Sequence, residues 1–293
     1  MKLSHLALTI FVVALWGTNF SILKIGLEEL PPLWMSALRF SLVAALLAPI
    51  FPLPREAHKS VFILSLTLGL LHFGILSLAM KNVDAATGAL TIQLQVPFAA
   101  LIAAVVLRER IEGRTVIGIL LAFSGVALIA GRPGFNGDFL SLGLVIVSAL
   151  GWAVSNLVIK KLSHVNVFAL NGYLGLFTAP QLFLLSFLFE DGQFAATMNA
   201  STPAWAAVFS TVLVLIVGHG SWYRLIGKYP ITLMVPFTLL VPVFGILGGV
   251  VLLGEAVSGY SLAGAGAVIA GLAVILVLAK LLRQTFTRFP DQA

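Results

Sequence analysis

The sequence predicts an all-α integral membrane protein with ten transmembrane helices in two inverted five-helix repeats and both termini in the cytoplasm. Three observations predict this fold. The 293 residues are 60% hydrophobic and 10% charged, with a mean hydropathy of +1.08, far outside the range of soluble globular domains. One stretch of the first half recurs in the second. Lysine and arginine fall mainly in connections that share one side of the membrane.

Each predicted helix is a window close to the ~20 residues needed to cross hydrocarbon, bounded by charged residues or by proline and glycine. The first window lacks a small-residue cleavage signal and continues to Leu27, so we interpret it as a retained span. The connections are short, and 190–203 is predicted as a loop. The ten predicted helices are 5–27, 32–51, 60–80, 85–107, 114–130, 138–160, 166–189, 204–226, 231–253 and 259–281.

The segments 105–125 and 251–271 have identical residues at several positions related by one fixed offset of 146 residues, which predicts a duplication. A weaker echo relates Trp16, Asn19 and Lys24 to Trp152, Asn156 and Lys160. We predict a first repeat at 1–135, a second at 136–285 and a cytoplasmic tail at 286–293. The coinciding pairs are Leu107/Leu253, Glu109/Glu255, Gly113/Gly259, Gly118/Gly264 and Gly125/Gly271.

Charge placement gives the orientation, because cytoplasmic loops retain lysine and arginine. With the N-terminus inside, only Lys81 and Arg132 fall in outer connections, whereas the turn after the fourth helix holds Arg108, Arg110 and Arg114 on the inside. Because each repeat has five helices, an odd number, the second copy must enter the membrane from the opposite side. Inverted repeats with interrupted helices meeting near the midplane are typical of secondary transporters.

Prolines interrupt the fourth and ninth predicted helices. Tyr229–Glu255 is apolar for a bilayer's width yet contains Pro236 and Pro242, and Pro97 falls one residue out of register with Pro242. Each proline removes a backbone donor, so a neighbouring helix, a hydroxyl or a water-filled cavity must satisfy the freed groups. We predict helix kinks at all three.

Several classes of function are excluded by what the sequence lacks. It has no cysteine, which excludes disulfides, thiol nucleophiles and thiolate metal sites. No H-E-x-x-H or G-x-S-x-G motif occurs, and no carboxylate pair falls within a span, so an intramembrane enzyme is not predicted. The formal charge of +6 is dispersed through loops, which disfavours nucleic-acid binding. No metal site or cofactor is predicted.

Trp16 and Asn19 in the first helix, and Trp152 and Asn156 in the sixth, are candidates for a substrate cavity. A tryptophan offers an apolar face and one indole donor, and an asparagine can donate to a carboxylate or accept from an ammonium. Anchoring at the membrane interface is the alternative for the tryptophans. Their depth within each span favours the cavity or helix packing.

His72 and His219 occupy corresponding helices of the two repeats, and Gln93 and Gln95 lie mid-span on the fourth helix. Each histidine could bind substrate or carry a proton, or could bond a neighbouring helix. An amide in hydrocarbon needs partners, so at least one glutamine should face protein or cavity. Bonding to neighbouring helices is the alternative for both.

Lys24 and Arg39 lie toward the outer ends of their helices, near Glu28 and Glu29. Snorkelling or pairing there is the favoured interpretation, although Arg39 could also attract a carboxylate. No aspartate or glutamate is predicted in the middle of a span. Proton coupling would then require a histidine or a boundary group such as Asp84, and uncoupled export driven by the substrate gradient is the alternative.

The segments 16–40, 92–113 and above all 222–255 resemble the EamA-type branch of the drug/metabolite transporter superfamily, and the resemblance covers nearly the whole chain. Within that branch the chain is similar to the cysteine/O-acetylserine and aromatic-amino-acid exporter types. The resemblance implies ten helices around a central cavity that faces either side in turn, in the bacterial inner membrane, without a cofactor.

The resemblance also implies a small-molecule substrate, an amino acid or related metabolite, and a monomer or homodimer in the bilayer. Traffic of multiple drugs or nucleotide sugars on the same scaffold is the alternative within transport. A sugar nucleotide calls for clustered cations to neutralise phosphates, and only Lys24 and Arg39 are near candidates. From other classes, a channel and an intramembrane enzyme are the competing hypotheses.

Overall fold

The computed structural model describes residues 2–106, 113–130, 139–162, 164–226, 228–229 and 235–275. These residues form helices and short connections, and no strand occurs among them. Four of the helices combine α-helical turns with a 3₁₀ or π segment. The helices are α1 Leu3–Leu27, α2 Pro32–Leu47, α3 Arg55–Met80, α4 Ala85–Val106, α5 Gly113–Ala130, α6 Phe139–Lys161, α7 Val167–Phe189, α8 Gln193–Asn199, α9 Thr202–Ile226, α10 Val235–Leu253 and α11 Gly259–Ala273.

Apolar length matches a membrane environment. Six helices, α1, α3, α4, α6, α7 and α9, are long and apolar enough to cross a bilayer, and α2, α5, α10 and α11 are apolar but shorter. Large side chains such as Leu184, Phe187 and Phe189 are exposed on the surface, as lipid-facing positions are expected to be. The prediction of an all-helical, multi-pass membrane protein is confirmed.

The predicted helix boundaries lie within a few residues of those described. The main differences flank the α2–α3 connection, where α2 ends at Leu47 rather than at 51 and α3 begins at Arg55 rather than at 60. Pro49 explains the early end, because a proline has no N–H to donate to the carbonyl four residues earlier and so does not continue a helix. The predicted turn at 108–112, the boundary at residue 135, the helix end after 275 and the tail 286–293 lie outside the described residues.

The segment 190–203, predicted as a loop, contains the short helix α8. The prediction missed it because seven residues are too few for a readable period. Phe194 of α8 places its ring 5.3 Å from that of Trp34 in α2. The Trp34 indole also donates a hydrogen bond to the Thr197 hydroxyl at 2.7 Å. Tertiary contacts with α2 therefore hold this helix in place.

Helices α5 and α11 approach each other through glycines. A Cβ atom on Gly118 would lie 2.7 Å from the Gly271 carbonyl oxygen, and one on Gly125 would lie 2.6 Å from that of Gly264. Small residues permit such backbone contact between membrane helices. The pairing is exchanged, because Gly118 matches Gly264 in the duplicated sequence and Gly125 matches Gly271.

Other contacts between the halves follow the same close-packed design. Gly172 and Gly175 of α7 lie in close backbone contact with α2. A Cβ atom on Gly175 would lie 2.6 Å from the Phe40 carbonyl oxygen. Gly17 of α1 packs against α10, with its Cβ position 2.5 Å from the Val241 carbonyl oxygen. Helices of residues 3–130 thus pack on helices of residues 139–275 throughout the bundle.

Matching irregularities interrupt corresponding helices of the two halves. The π segments Ser65–Gly74 of α3 and Val214–Gly218 of α9 contain or directly precede the two buried histidines. The 3₁₀ segments Ile92–Leu94 of α4 and Val235–Leu240 of α10 each lie just before a proline. Both kinds of irregularity free backbone groups in mid-helix and are frequent at functional sites.

The predicted kinks coincide with these 3₁₀ segments. Pro97 follows Ile92–Leu94 by three residues, and Pro242 follows Val235–Leu240 by two. Pro236 lies within the second segment. A proline has no N–H to donate to the carbonyl four residues earlier, which disrupts the regular helical hydrogen bonding there. The positions of Pro97 and Pro242 at these transitions agree with that reason.

At one end of the bundle, buried helix starts are capped by carboxylates from the opposite half. Glu190, directly after α7, accepts hydrogen bonds from the backbone N–H groups of Leu33 at 2.8 Å and Trp34 at 3.0 Å. These belong to the first turn of α2. Free N–H groups and the helix dipole both favour an anion at this position.

Two further carboxylates act in the same way at this end. Glu255, after α10, accepts from the N–H groups of Ala85 at 2.6 Å and Ala86 at 3.1 Å at the start of α4. Glu29, after α1, accepts from the N–H of Ser201 at 2.6 Å and from its hydroxyl, at the start of α9. We call Glu29, Glu190 and Glu255 the carboxylate clasp, because each one ties the two halves together.

Candidate functional site

A cavity lies between the two halves in the middle of the bundle. Its volume is about 100 Å³, several times the roughly 10–15 Å³ that one water molecule needs. The lining comes from α1, α2, α3 and α4 of the first half and from α6, α9 and α10 of the second. The predicted site residues that line it are Trp16, Asn19, His72, Gln93, Gln95, Trp152 and His219.

Asn156 does not line this cavity and is exposed on α6. The reason lies in the weak sequence echo, where Asn19 follows its tryptophan by three residues and Asn156 follows by four. One extra residue rotates a side chain by about 100° around a helix. Position 155, which matches the first spacing, holds Ser155, whose hydroxyl lies 2.9 Å from that of Thr67.

A second cavity of about 320 Å³ lies beside the clasp, lined by residues that include Glu255 and Ser258. It is larger, but its Glu255 carboxylate already accepts from the amides of α4. The central cavity is the candidate site because it joins buried polar side chains of both halves.

The tryptophans and histidines meet across the boundary between the halves. The ring centroids of Trp16 and His219 are 5.4 Å apart, and those of Trp152 and His72 are 4.8 Å apart. Each pair joins one residue of the first half to one of the second. Phe73 lies among them, with its centroid 4.5 Å from that of His72 and 6.4 Å from that of His219. The cavity wall is therefore largely aromatic.

Ser148 of α6 fixes the orientation of His72. The His72 Nδ1 atom lies 3.0 Å from the Ser148 carbonyl oxygen, and the Ser148 hydroxyl donates to the His72 carbonyl at 3.0 Å. A carbonyl can only accept, so Nδ1 carries the proton and Nε2 is left as an acceptor in the neutral ring. This arrangement holds the imidazole at the cavity wall.

Gln93 donates a hydrogen bond to the carbonyl of α10 that Pro242 leaves without its usual helical donor. The carbonyl four residues before this proline belongs to Thr238, and the Gln93 side chain donates to it at 3.0 Å. Gln95 in turn donates to the Gln93 side-chain oxygen at 3.2 Å. Gln93 itself stands four residues before Pro97, so the two interrupted helices touch at matching positions. Both predicted interpretations hold for Gln93, which bonds a neighbouring helix and also lines the cavity.

Arg39 lines the cavity and is 2% exposed. Its guanidinium carbon lies 5.1 Å from the Phe73 ring centroid and 5.4 Å from that of Phe40. The favoured prediction, snorkelling or pairing near Glu28 and Glu29, is therefore wrong for this residue. Helix α2 packs against α3, α7 and α9, and the Arg39 side chain is buried within this packing.

Lys24 differs from Arg39 in its surroundings. Its ammonium donates to the Val83 carbonyl at 2.9 Å, and it does not line the cavity. Trp16 Nε1 and Asn19 Oδ1 are buried at the cavity without a hydrogen-bond partner among the described residues. None of the lining residues that the structure describes is an aspartate or a glutamate. The cavity thus combines aromatic faces, unpaired polar atoms and one guanidinium.

The cavity offers aromatic faces, unpaired polar atoms and one guanidinium to a bound molecule. Within the described residues, no group of three or more histidine, cysteine, aspartate or glutamate side chains could hold a metal ion. Helices packed around a mid-bundle polar cavity, with interrupted segments at its wall, are typical of secondary transporters. The chain belongs to the EamA-like transporter family, whose model matches residues 3–131 and 139–277.

Named relatives agree with this family. The chain is 34% identical over 278 residues to a probable amino-acid metabolite efflux pump of Salmonella typhimurium, covering 90% of this chain and 92% of the relative. It is 32% identical over 279 residues to a protein of the same description in Escherichia coli, again covering 90% and 92%. An uncharacterized transporter of Bacillus subtilis is 26% identical over 251 residues, covering 82% of this chain and 85% of the relative.

A crystal structure with 21% identity superposes with a TM-score of 0.65, covering 96% of this chain and 99% of the other. This likeness establishes a shared fold. Family membership makes the protein a transporter rather than an enzyme, which confirms the resemblance found in the sequence.

Proposed function

We propose that the protein exports amino acids or related small metabolites across the bacterial inner membrane by alternating access. The observation that carries the proposal is the central cavity, where both halves contribute aromatic faces and buried polar atoms. The descriptions of the Salmonella and Escherichia relatives as amino-acid metabolite efflux pumps support this class of substrate.

We further propose that the halves 1–135 and 136–285 are inverted copies that together span the membrane ten times, with both termini inside. The exchanged contacts support this relation, since a two-fold axis carries each contact onto its partner. Gly118 meets Gly271 as Gly264 meets Gly125, and Trp16 meets His219 as Trp152 meets His72. Inverted copies can exchange conformations, which opens the cavity to either side in turn.

In this scheme the carboxylate clasp holds one end of the bundle closed. Its three members connect the halves through helix-capping hydrogen bonds. Opening that end requires these bonds to break, at a cost that substrate binding and new contacts at the other end must offset. By the predicted orientation this is the outer end.

The cavity suits an amino acid because its unpaired groups complement one. Asn19 Oδ1 can accept from an ammonium, and Trp16 Nε1 can donate to an oxygen. Aromatic faces of Trp16, Trp152 and Phe73 fit an apolar side chain. Buried polar atoms without partners are costly, so a ligand that pairs them gains affinity.

The driving force in this proposal is the substrate gradient. The part of the cavity lining that the structure describes carries no carboxylate that could bind and release a proton during transport. His72 is held by Ser148 through its Nδ1 atom. A strict requirement for a pH gradient would contradict this part of the proposal and would redirect attention to His72 and His219.

Counterflow in proteoliposomes tests the proposal. Vesicles loaded with one unlabelled amino acid should accumulate the labelled one, across a panel of threonine, methionine, cysteine and the aromatic amino acids. Accumulation should saturate with concentration, as expected of a carrier. Absence of counterflow for the whole panel would contradict the substrate class, and unitary conductance would indicate a channel.

A matched pair of variants links this transport to the cavity. Asn19→Ala removes an acceptor from the cavity wall, whereas Asn156→Ala makes the same change on the exposed face of α6. We expect Asn19→Ala to lower counterflow about tenfold, the effect of roughly 1.4 kcal/mol, and Asn156→Ala to leave it unchanged. Equal effects would place the substrate elsewhere.

Sugar nucleotides are disfavoured as cargo. Phosphates are bound by clusters of lysine and arginine, and among the described residues that line the cavity Arg39 is the only lysine or arginine. A multidrug carrier would transport hydrophobic cations. If such cations compete with amino-acid counterflow, the multidrug alternative is favoured, and if they do not, it is disfavoured.

A further inference from the structure

Arg39 is a buried cation without a matching anion. It is 2% exposed, and its Nε and Nη2 atoms have no hydrogen-bond partner among the described residues. Among the described residues, the surrounding cavity wall supplies histidines, amides and aromatic rings, but no carboxylate. A buried charge is normally paired and hydrogen-bonded, because removing it from water is expensive.

Contacts with aromatic rings compensate for only part of that cost. Phe40 and Phe73 lie within cation–π distance of the guanidinium, and such contacts favour a cation. A ring face does not replace the hydrogen bonds that the N–H groups lost on leaving water. The two rings therefore favour the charged guanidinium and pack against it, while its Nε and Nη2 donors remain without acceptors among the described residues.

The two unpaired atoms form one edge of the guanidinium. Nε–H and one N–H of Nη2 point in the same direction, and this parallel pair matches the two oxygens of a carboxylate. Both atoms are shielded from water in this conformation. A rotation of the side chain into the cavity that it lines would bring this edge to a bound anion.

We propose that Arg39 binds the carboxylate of the transported substrate and so selects amino acids over compounds that lack the acid group. This inference rests on the proposed function and deepens it. In this arrangement the two charged groups of the substrate bind to different helices. The carboxylate binds Arg39 on α2, and the ammonium binds the acceptor Asn19 Oδ1 on α1. A single guanidinium matches one carboxylate better than it matches a multiply charged phosphate.

Binding measurements on the purified full-length protein in nanodiscs test this directly. Quenching of tryptophan fluorescence reports binding, because Trp16 and Trp152 line the cavity. The probes are L-phenylalanine, L-methionine and L-threonine, each compared with its carboxamide, which keeps the side chain and the ammonium. Wild type should bind at least one acid about tenfold or more tightly than its amide, as expected for a charge-assisted pair.

The variant Arg39→Gln should reduce this preference to within about twofold, mainly by weakening acid binding. Lys24→Gln is the matched control, because it removes a cation that bonds the Val83 carbonyl and does not line the cavity. Its acid-to-amide preference should equal that of wild type. Arg39→Lys, which retains the charge without the parallel edge, should keep a smaller preference and serves where Arg39→Gln fails to fold.

Several outcomes would overturn the inference. They are equal binding of acids and amides by wild type, an unchanged preference in Arg39→Gln or in Arg39→Lys, a loss of preference in Lys24→Gln, or no binding of any of the six probes. Failure of the proposed function gives a different pattern. An acid preference that depends on Arg39, together with absent counterflow for every amino acid, would sustain the carboxylate site and contradict amino-acid export.

Discussion

The glycine contact between α5 and α11 gives a quantitative prediction. In Gly271→Ala the new Cβ atom would lie 2.5 Å from the Gly118 carbonyl oxygen and 2.7 Å from the Ala122 amide nitrogen. Both are backbone atoms, so relief requires the helices to separate by about 1 Å to reach ordinary contact distance. Overpacking of this kind costs about 1–3 kcal/mol.

Gly266 provides the control on the same helix. Nothing lies within 4 Å of its Cβ position, so Gly266→Ala only gains the greater helix propensity of alanine, about 1 kcal/mol. That gain is common to both variants and cancels between them. We expect Gly271→Ala to be less stable than Gly266→Ala by about 1–3 kcal/mol.

Unfolding by titration with a denaturing detergent, followed by circular dichroism, measures this difference in the free energy of unfolding. Gly125→Ala should behave like Gly271→Ala, because Gly125 matches Gly271 in the duplicated sequence and makes the equivalent contact, with its Cβ position 2.6 Å from the Gly264 carbonyl oxygen. Equal stability of Gly271→Ala and Gly266→Ala would refute the close contact and, with it, the two-fold relation inferred from it.

Three further predictions concern hydrogen bonds between the halves. Glu255→Gln removes the charge of the carboxylate that accepts from the N–H of Ala85 at the start of α4. It should lower the free energy of unfolding by about 1 kcal/mol at low ionic strength and by less in high salt. No change in either condition would contradict the capping role. Hydrogen bonds from Ser201 lower the pKa of Glu29, so its contribution to stability is present above the usual pKa and is lost as pH falls through the lowered one. Glu29→Gln should therefore melt below wild type at pH 7, and the two melting temperatures should converge in acid; a gap that widens in acid would contradict the assignment. Gln93→Leu removes the donor of the hydrogen bond to the Thr238 carbonyl of α10. It should lower the free energy of unfolding by roughly 1–3 kcal/mol, which a lower melting temperature would report. An unchanged melting temperature would show that the bond is dispensable.

Helix positions could be read from the sequence because a membrane span needs a long apolar run that few other structures produce. The prolines likewise predicted breaks in α4 and α10, since the missing N–H acts locally. The π segments could not be predicted. Ser65–Gly74 and Val214–Gly218 are apolar runs that also suit a regular helix, and packing between the halves decides their geometry.

A polar residue deep within a span is expected to face protein or a cavity rather than lipid, and this expectation located part of the candidate site. Trp16, Asn19 and the two histidines reached the cavity for that reason. Asn156 did not, because an echo with one extra residue leaves the rotational phase of the helix undetermined.

Arg39 and Phe73 were missed as cavity residues for different reasons. Arg39 lies seven residues into α2, close enough to an end for snorkelling to be the simpler interpretation. Phe73 is one of 21 phenylalanines in an apolar chain, and nothing local distinguishes it. Only the packing of α2 on α3 brings its ring to the guanidinium.

Alternating access to the central cavity is the claim that the other conclusions depend on. The sequence has no cysteine, so Gln95→Cys introduces a single thiol at a half-buried position of the cavity lining. A membrane-impermeant thiol reagent should label it from either face of the membrane, and a transported amino acid should slow labelling from both. Labelling from one face only, or labelling that no substrate slows, would contradict a shared cavity that opens to each side in turn.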